Sequence, residues 1–243
     1  MREQDLFVGW AAAAPGARVF RKLGATVVAC ADLAHWDRLV IAGDPDALAA
    51  LIGEVVPETG PSFRPFGPED LVTAVADRMP DLEVSARFAW MDRDSPVSGT
   101  TSASSRARST TPAGAAWLTE AEWPEVTELL KESFSDSYAW PGASGVERWA
   151  GIRDQDGRLL AVTADAWSTP AIGFMAGVAT RREARGRGLG AELCAFAADE
   201  LLAGRDRVAL LADYDNTAAV ATYRKLGFVT RPVAAARQVL VAT

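Results

Sequence analysis

Histidine and cysteine are scarce in this sequence, which contains one histidine, His35, and two cysteines, Cys30 and Cys194. A single histidine cannot form a histidine-rich zinc site, and no nucleophile motif accompanies it. Two cysteines are too few for a disulfide framework and lack metal-ligand spacing, and no histidine is available to activate Cys194. We therefore expect no metal site and no Ser-His or Cys-His chemistry. The cysteines are interpreted as small buried apolar residues, and His35 as structural or on the surface.

Long apolar runs and an excess of positive charge are also missing. No run is long enough to cross a bilayer, and the first residues lack the apolar core of a signal peptide, so we expect a cytoplasmic protein with no membrane partner. The formal net charge is −7, which argues against nucleic acid as a partner. The chain has 243 residues, 49% of them apolar, which is enough for one large domain or two small ones.

A stretch rich in Ser, Thr, Gly and Pro divides the chain. We predict a linker over residues 92–111, because so few large apolar groups cannot order the segment by burial. It separates an N-terminal α/β lobe, residues 1–91, from a C-terminal domain, residues 112–243. In the first lobe the patterns predict helices over 10–23, 44–56 and 68–79 and strands over 25–29, 38–42 and 82–91. Asp44 is predicted to be the N-cap of the second of these helices.

The C-terminal domain has its own alternation of elements. Thr119 and Glu122 have the spacing of a capping box, which predicts a helix extending to about residue 134. Residues 135–145 are predicted to form a loop that either walls a ligand site or is an ordinary surface loop. Strands are expected over 115–118, 146–154, 158–167, 171–180 and 208–212.

A loop rich in glycine and arginine, Arg185-Gly186-Arg187-Gly188-Leu189-Gly190, follows the apolar run 172–178 and opens the helical segment 189–201. Alternating glycines let the backbone turn tightly and bring its N–H groups close to a ligand. The start of a helix adds unpaired donors and a partial positive charge. Since Arg181 and Arg182 lie beside the loop, the pattern predicts a site for a polyanion such as a pyrophosphate.

Two other interpretations of this loop stay open at this point. It can be a solvated turn without a ligand. Gly186-x-Gly188-x-x-Ala191 also fits the dinucleotide-binding fingerprint, with Asp206 at a suitable distance for a ribose hydroxyl. That fingerprint belongs to the first turn of a doubly wound sheet, however, and too little chain follows Asp206 to build the remaining strands.

A second pattern follows in the chain: Asn216, Ala219, Tyr223, Gly227 and Phe228 fit N-x-x-A-x-x-x-Y-x-x-x-G-F. Together with Arg185-x-x-Gly188-x-Gly190, it resembles the GNAT acetyltransferase superfamily, which carries R/Q-x-x-G-x-G/A before such a segment. The layout is most similar to the glycine N-acyltransferase-like branch. One departure is Arg182, where many relatives have proline.

The resemblance implies a fold class and a cosubstrate. The fold would be α/β (α+β), a GNAT fold whose mixed, mostly antiparallel, splayed sheet is flanked by helices, with a smaller α/β lobe before it. The cosubstrate would be acetyl-CoA, or another acyl-CoA. The peptide Phe20 to Gly24 parallels Tyr223 to Gly227, so either both are helix ends capped by glycine or residues 1–91 are a degenerate GNAT half.

The resemblance also assigns site residues. Backbone groups of the strand before the loop would hold the pantetheine arm, and N–H groups of the loop would bind the pyrophosphate with help from Arg185. The residues expected to bind the cofactor are Val178, Ala179, Thr180, Arg185, Gly186, Arg187, Gly188, Leu189, Gly190 and Asn216. Asn216 would act as a helix cap or a cofactor contact.

Two residues are candidates for the chemistry. Tyr223 would donate a proton to the departing thiolate, unless it is a core tyrosine with a satisfied hydroxyl. Asp165 is a candidate general base, unless it is a solvated carboxylate at a strand end. The acceptor is expected to be the amine of a small molecule or a peptide, and a homodimer is left open. A module that binds acyl-CoA without turnover is the alternative function.

Overall fold

The computed structural model describes residues 3–97 and 114–239, with the side chains from Asp5 onward. Short 3₁₀ turns cover Glu120–Glu122 and Arg182–Ala184. The helices and strands in chain order are α1 (Glu3–Ala12), β1 (Arg18–Lys22), β2 (Ala25–Leu33), β3 (Trp36–Gly43), α2 (Pro45–Thr59), β4 (Arg64–Pro68), α3 (Glu69–Ala76), β5 (Leu82–Arg93), β6 (Ala116–Trp117), α4 (Trp123–Ser133), β7 (Val146–Arg153), β8 (Leu159–Ala166), β9 (Ile172–Thr180), α5 (Leu189–Leu202), β10 (Arg207–Asp213), α6 (Thr217–Lys225) and β11 (Val229–Gln238).

The chain forms two compact units that a single cut does not separate. The first unit contains the described residues up to Trp90, residues 212–216 and the described residues from Thr230 onward. The second contains residues 91–97, 114–211 and 217–229. Most of β11, which we predicted to belong to the C-terminal domain, is therefore part of the first unit. Most of the predicted linker lies outside the described residues, and that assignment stays a prediction.

In the first unit the strands follow the order β1-β2-β3-β4-β11-β5. The first three strands are antiparallel neighbours, and β3 and β4 are parallel, with α2 as the crossover between them. The strand β11 runs antiparallel to β4 and places Ala234 opposite Gly67. Apolar residues of α2 and α3 pack on the sheet, among them Leu48, Ile52 and Val72. Burial of this surface stabilises the unit.

The first predicted helix is wrong in its extent. Residues 10–23 do not form one helix, because α1 ends at Ala12 and residues 18–22 form β1. Gly24, which we interpreted as a helix cap, has φ +82° and closes the hairpin between β1 and β2 with Leu23. Phe20 to Gly24 is thus not a helix end, although the similar peptide Tyr223 to Gly227 does end α6.

Both cap signals in the sequence are confirmed. The Asp44 carboxylate accepts hydrogen bonds from the N–H groups of Asp46 and Ala47, both at 3.0 Å, at the start of α2. The Glu122 carboxylate accepts from the Thr119 N–H at 2.7 Å, which completes the capping box before α4. Such caps satisfy donors that a helix start leaves without partners.

In the second unit the strands follow the order β10-β9-β8-β7-β6. Neighbours from β6 to β9 are antiparallel, whereas β9 and β10 are parallel and joined by α5. Leu189 and Leu193 of α5 pack on Ala150, Ile152 and Leu160 of the sheet. No helix among the described residues has both the length and the hydropathy needed to span a membrane.

Candidate functional site

The strand β9 carries a bulge in its second half. Val162 of β8 pairs with Ala179, but Ala164 pairs with Ala176, so two residues of β9 lie opposite Thr163 alone. Gly177, in the bulge, has φ +61°, a conformation that favours glycine. A bulge bends its strand and redirects the peptide groups that follow.

The same strand separates from its parallel neighbour after a short pairing. The described register between β9 and β10 runs from Ile172–Arg207 to Met175–Leu210, and β9 then continues to Thr180. On the edge of β9 that faces β10, the peptide groups of residues 176–180 therefore lie beyond the register that pairs the two strands, and we call this stretch the released edge of β9. Because each peptide carries a donor and an acceptor that need partners, this edge can pair with an extended ligand.

The loop after β9 ends at an uncapped helix start. Gly188 is the N-cap of α5 with φ +81°, and within the described chain no side chain caps it. A methyl group built on Gly190 would lie 3.4 Å from the Thr180 Oγ1, so the helix start approaches the end of β9 closely. Free N–H groups and the positive end of the helix dipole make this a favourable place for an anion.

The arginines of the loop have different partners. Arg181 is buried, donates to the Leu159 carbonyl at 2.8 Å and pairs with Glu132, so it anchors the loop rather than facing a ligand.

Arg185 donates to the carbonyls of Thr180 at 3.1 Å and Ser133 at 3.2 Å. Arg187 donates to the Glu183 carbonyl at 2.9 Å. The sequence predicted a cluster of arginines. It did not predict these hydrogen bonds and this ion pair, because most of the partner residues are distant in the chain.

Tyr223 is buried on the inner face of α6. Burial raises the pKa of its hydroxyl well above the usual value, and the neighbouring Cys194 thiol adds to the shift. Its ring lies 5.9 Å from that of Phe228, centroid to centroid. The phenol is therefore neutral at physiological pH and holds its proton available for donation.

Asn216 lies immediately before α6, in the segment 212–216 that groups with the first unit. Its backbone N–H donates to the Asp213 carbonyl at 3.1 Å, which closes the turn at the end of β10. Whether its side chain contacts a cofactor stays a prediction.

Asp165 is buried in β8 with both carboxylate oxygens engaged. Oδ2 accepts from Arg148 Nε at 3.0 Å, and Oδ1 accepts from the Ser168 hydroxyl. Ser168 Oγ in turn accepts from the Phe174 N–H at 2.8 Å, which connects the end of β8 to the start of β9. We had expected either a general base or a solvated carboxylate at this position. The observed contacts indicate a third role, in which Asp165 fixes two strands.

Replacing Asp165 by asparagine is expected to lower stability more than turnover. The amide leaves Arg148 without its charged partner, and we expect a loss of about 2 kcal/mol in the free energy of unfolding. Denaturant titration measures this loss, and Asp156→Asn, in the exposed turn between β7 and β8, is the matched control. A loss of turnover by two orders of magnitude at unchanged stability would instead identify Asp165 as the base.

The loop over residues 135–145 approaches the bulge of β9. Ser137 Oγ donates to the Ala139 carbonyl at 2.8 Å, and Trp140 Nε1 donates to the Ser137 carbonyl at 2.7 Å. Ala139 is fully buried, and its Cβ lies 3.3 Å from a methyl group built on Gly177. These contacts place residue 139 beside the bulge, and the role of the loop as the wall of a ligand site stays a prediction.

The dinucleotide-binding interpretation does not fit the fold. The Asp206 N–H donates to the Ala171 carbonyl at 3.0 Å, so Asp206 lies beside the beginning of β9. The glycine loop follows the other end of this nine-residue strand, on the order of 30 Å away at about 3.3 Å per residue. In addition, β8 is antiparallel to β9, unlike the strands of a doubly wound sheet.

Residues 115–228 match the sequence model of the acetyltransferase (GNAT) family. A comparison with curated protein sequences gave no match. Among solved structures, a GNAT-family protein from Novosphingobium aromaticivorans aligns with 98% of this chain and 100% of its own, at 22% identity and a TM-score of 0.59. A GCN5-related N-acetyltransferase from Kribbella flavida aligns with 98% of this chain and 95% of its own, at 17% identity and a TM-score of 0.66.

A tandem GNAT protein from the clavulanic acid biosynthesis pathway also aligns, with 95% of this chain and 86% of its own, at 17% identity and a TM-score of 0.54. These likenesses establish the fold, and the predicted fold class is confirmed: a mixed, mostly antiparallel sheet flanked by helices. The segment that matches the family model contains the bulged strand, the loop before α5 and Tyr223. Residues 115–228 are therefore similar in sequence to the GNAT acetyltransferase family, and the chain has the fold of the GNAT structures it aligns with.

Proposed function

We propose that this chain is an acyl-CoA-dependent N-acyltransferase that transfers an acetyl group from acetyl-CoA to a primary amine of a small molecule or a peptide. One observation carries the proposal. The released edge of β9 is followed by the loop 181–188, which ends at the uncapped start of α5. An extended edge of peptide groups suits the amides of a pantetheine arm, and a helix start suits a pyrophosphate, in the order in which coenzyme A presents them.

The described residues fit such a ligand. Backbone groups of Val178, Ala179 and Thr180 would bind the pantetheine arm. The N–H groups from Gly186 to Gly190 would bind the pyrophosphate. Arg185 would hold the loop in position through its two carbonyl contacts. At Gly186 and Gly188 a methyl group would meet no other described atom within 4 Å, so the space beside these backbone positions is open to a ligand.

Acyl-CoA supplies the thioester, and the residues of this chain supply its surroundings. An N–H group at the bulge of β9 can donate to the thioester oxygen as negative charge develops there. Tyr223 can donate its proton to the departing sulfur. The raised pKa of Tyr223 keeps the phenol protonated at physiological pH.

Replacing Tyr223 by phenylalanine is expected to lower kcat by about 100-fold, which is a typical contribution of a general acid. Affinity for acetyl-CoA should stay within about twofold, because the substitution removes only the hydroxyl and the proposed contacts to the cofactor are elsewhere. Thiol release measures kcat, and calorimetry measures the affinity. Unchanged kcat would assign Tyr223 to the core, where it already packs beside Phe228.

The amine needs to be uncharged when it attacks. The strand β9 contains no carboxylate, and Asp165 is occupied by Arg148 and Ser168. We therefore propose that the amine binds in its neutral form or loses its proton through water. Turnover is then expected to rise with pH up to the pKa of the acceptor amine.

The branch of the superfamily is also part of the proposal. The layout of Gly177-Val178-Ala179-Thr180 before the loop, together with the α/β unit that precedes the domain, supports a glycine N-acyltransferase-like enzyme. Acceptors of this type are small amines such as amino acids. They belong in the first panel of substrates.

The first experiment is calorimetric titration with acetyl-CoA and coenzyme A, with NAD as a negative control, together with thiol release on a panel of amines. Binding of acetyl-CoA with thiol release that depends on an amine supports the proposed function. Binding without release on any amine supports an acyl-CoA-binding module. No binding of coenzyme A would overturn the assignment of the loop before α5.

A further inference from the structure

Trp149 of β7 reaches across the sheet to the bulge of β9. It is fully buried and pairs with Ala164 of β8, which in turn pairs with Ala176 of β9. The neighbouring Ala150 packs against α5, so the indole projects from the other face of the sheet. A methyl group built on Gly177 would lie 2.6 Å from Trp149 Cη2, which places the edge of the ring directly against the bulge.

A second element closes on the same point. The Cβ of Ala139, in the loop after α4, would lie 3.3 Å from the methyl group built on Gly177. Two hydrogen bonds within that loop, from Ser137 Oγ and Trp140 Nε1, hold it in place. The bulge is therefore faced by one large rigid ring and one small side chain from separate elements.

We propose that Trp149 determines acyl-chain length, and that its indole limits the site to acetyl. This inference rests on the proposed function, which places the thioester at the bulge of β9. The carbon atoms beyond the thioester carbonyl would then lie beside the edge of the indole and Ala139. Extra methylene groups would have to displace a ring packed at interior density, and overpacking of this kind is unfavourable.

Calorimetry tests whether Trp149 determines acyl-chain length, and it does not require the acceptor amine to be known. We compare coenzyme A, acetyl-CoA and butyryl-CoA on the wild-type chain and on Trp149→Ala. In the wild type, butyryl-CoA should bind at least about tenfold more weakly than acetyl-CoA. In Trp149→Ala the two should bind within about twofold of each other, whereas the affinity for coenzyme A, which has no acyl group, should be unchanged.

Two further variants keep the test decisive. Trp117→Ala removes a tryptophan from the same sheet, where the ring lies under Arg148 at 3.7 Å, and should keep the wild-type preference. Trp149→Phe makes a smaller change, and if Trp149→Ala does not fold, an intermediate preference in Trp149→Phe supports the proposal. Equal binding of acetyl-CoA and butyryl-CoA in the wild type, or an unchanged ratio in a folded Trp149 variant, overturns it. A wild-type chain that binds no coenzyme A overturns the proposed function itself.

Discussion

The variant Val233→Asp is expected to unfold the first unit although residue 233 lies near the C-terminal end of the sequence. Val233 is fully buried in β11, opposite Pro68 of β4, and its neighbours Ala234 and Ala236 belong to the core of the first unit. An unpaired carboxylate at this position costs several kcal/mol, which is comparable to the whole stability of many domains. The loss should exceed that of any other substitution considered for this chain.

Hydrogen exchange locates the effect. Amides of β2 and β3 should lose protection in Val233→Asp, because their unit loses a central strand. The control is Val229→Asp on the same strand: Val229 is 56% exposed, so the change should alter stability by less than about 0.5 kcal/mol. If β2 and β3 keep full protection in Val233→Asp, the first unit does not depend on β11, and the C-terminal boundary predicted from the sequence is adequate.

The variant Gly188→Val is expected to weaken binding of coenzyme A strongly. Gly188 has φ +81°, which a β-branched residue adopts only with strain, so the loop should rearrange and misplace its N–H donors. Each charge-assisted hydrogen bond to a phosphate is worth about 1.5–3 kcal/mol, so the loss of two weakens binding on the order of 1,000-fold.

The matched control is Gly157→Val, in the hairpin turn between β7 and β8. Gly157 has φ +82°, and as at Gly188 an added methyl group would meet no described atom within 4 Å. Both substitutions thus impose similar backbone strain, and their melting temperatures should fall by similar amounts. Only Gly188→Val should lose affinity in calorimetry. Equal affinities in the two variants would show that the loop before α5 does not bind the cofactor.

Local signals explain why much of the second unit could be predicted from the sequence. The loop Arg185 to Gly190 and the pattern from Asn216 to Phe228 have fixed spacings within single elements or turns, so they indicated the resemblance to the GNAT superfamily and the helix that follows the loop. Asp44 and the pair Thr119–Glu122 likewise form caps with residues two or three positions away. Interactions of such short range are visible in sequence patterns.

Other features depend on partners far apart in the chain. The strand β1 was missed because Gly24 suits a hairpin turn as well as a helix cap, and only pairing with β2 distinguishes them. The membership of β11 in the first unit follows from pairing with β4, which lies more than 150 residues earlier. The anchoring of Arg181 and the position of the Trp149 ring likewise arise from contacts with Glu132 and Gly177. The hydrophobic periodicity of a sequence carries no information about such long-range contacts.

The Asp44 cap has a consequence for stoichiometry. Each unit contains a parallel crossover of strand, helix and strand, β3-α2-β4 and β9-α5-β10. In the first, the helix start is occupied by a carboxylate of the chain itself, which satisfies two donors and places a negative charge where a pyrophosphate would have to lie. In the second, the described residues provide no such anion. If coenzyme A binds as proposed, saturation corresponds to one molecule per chain.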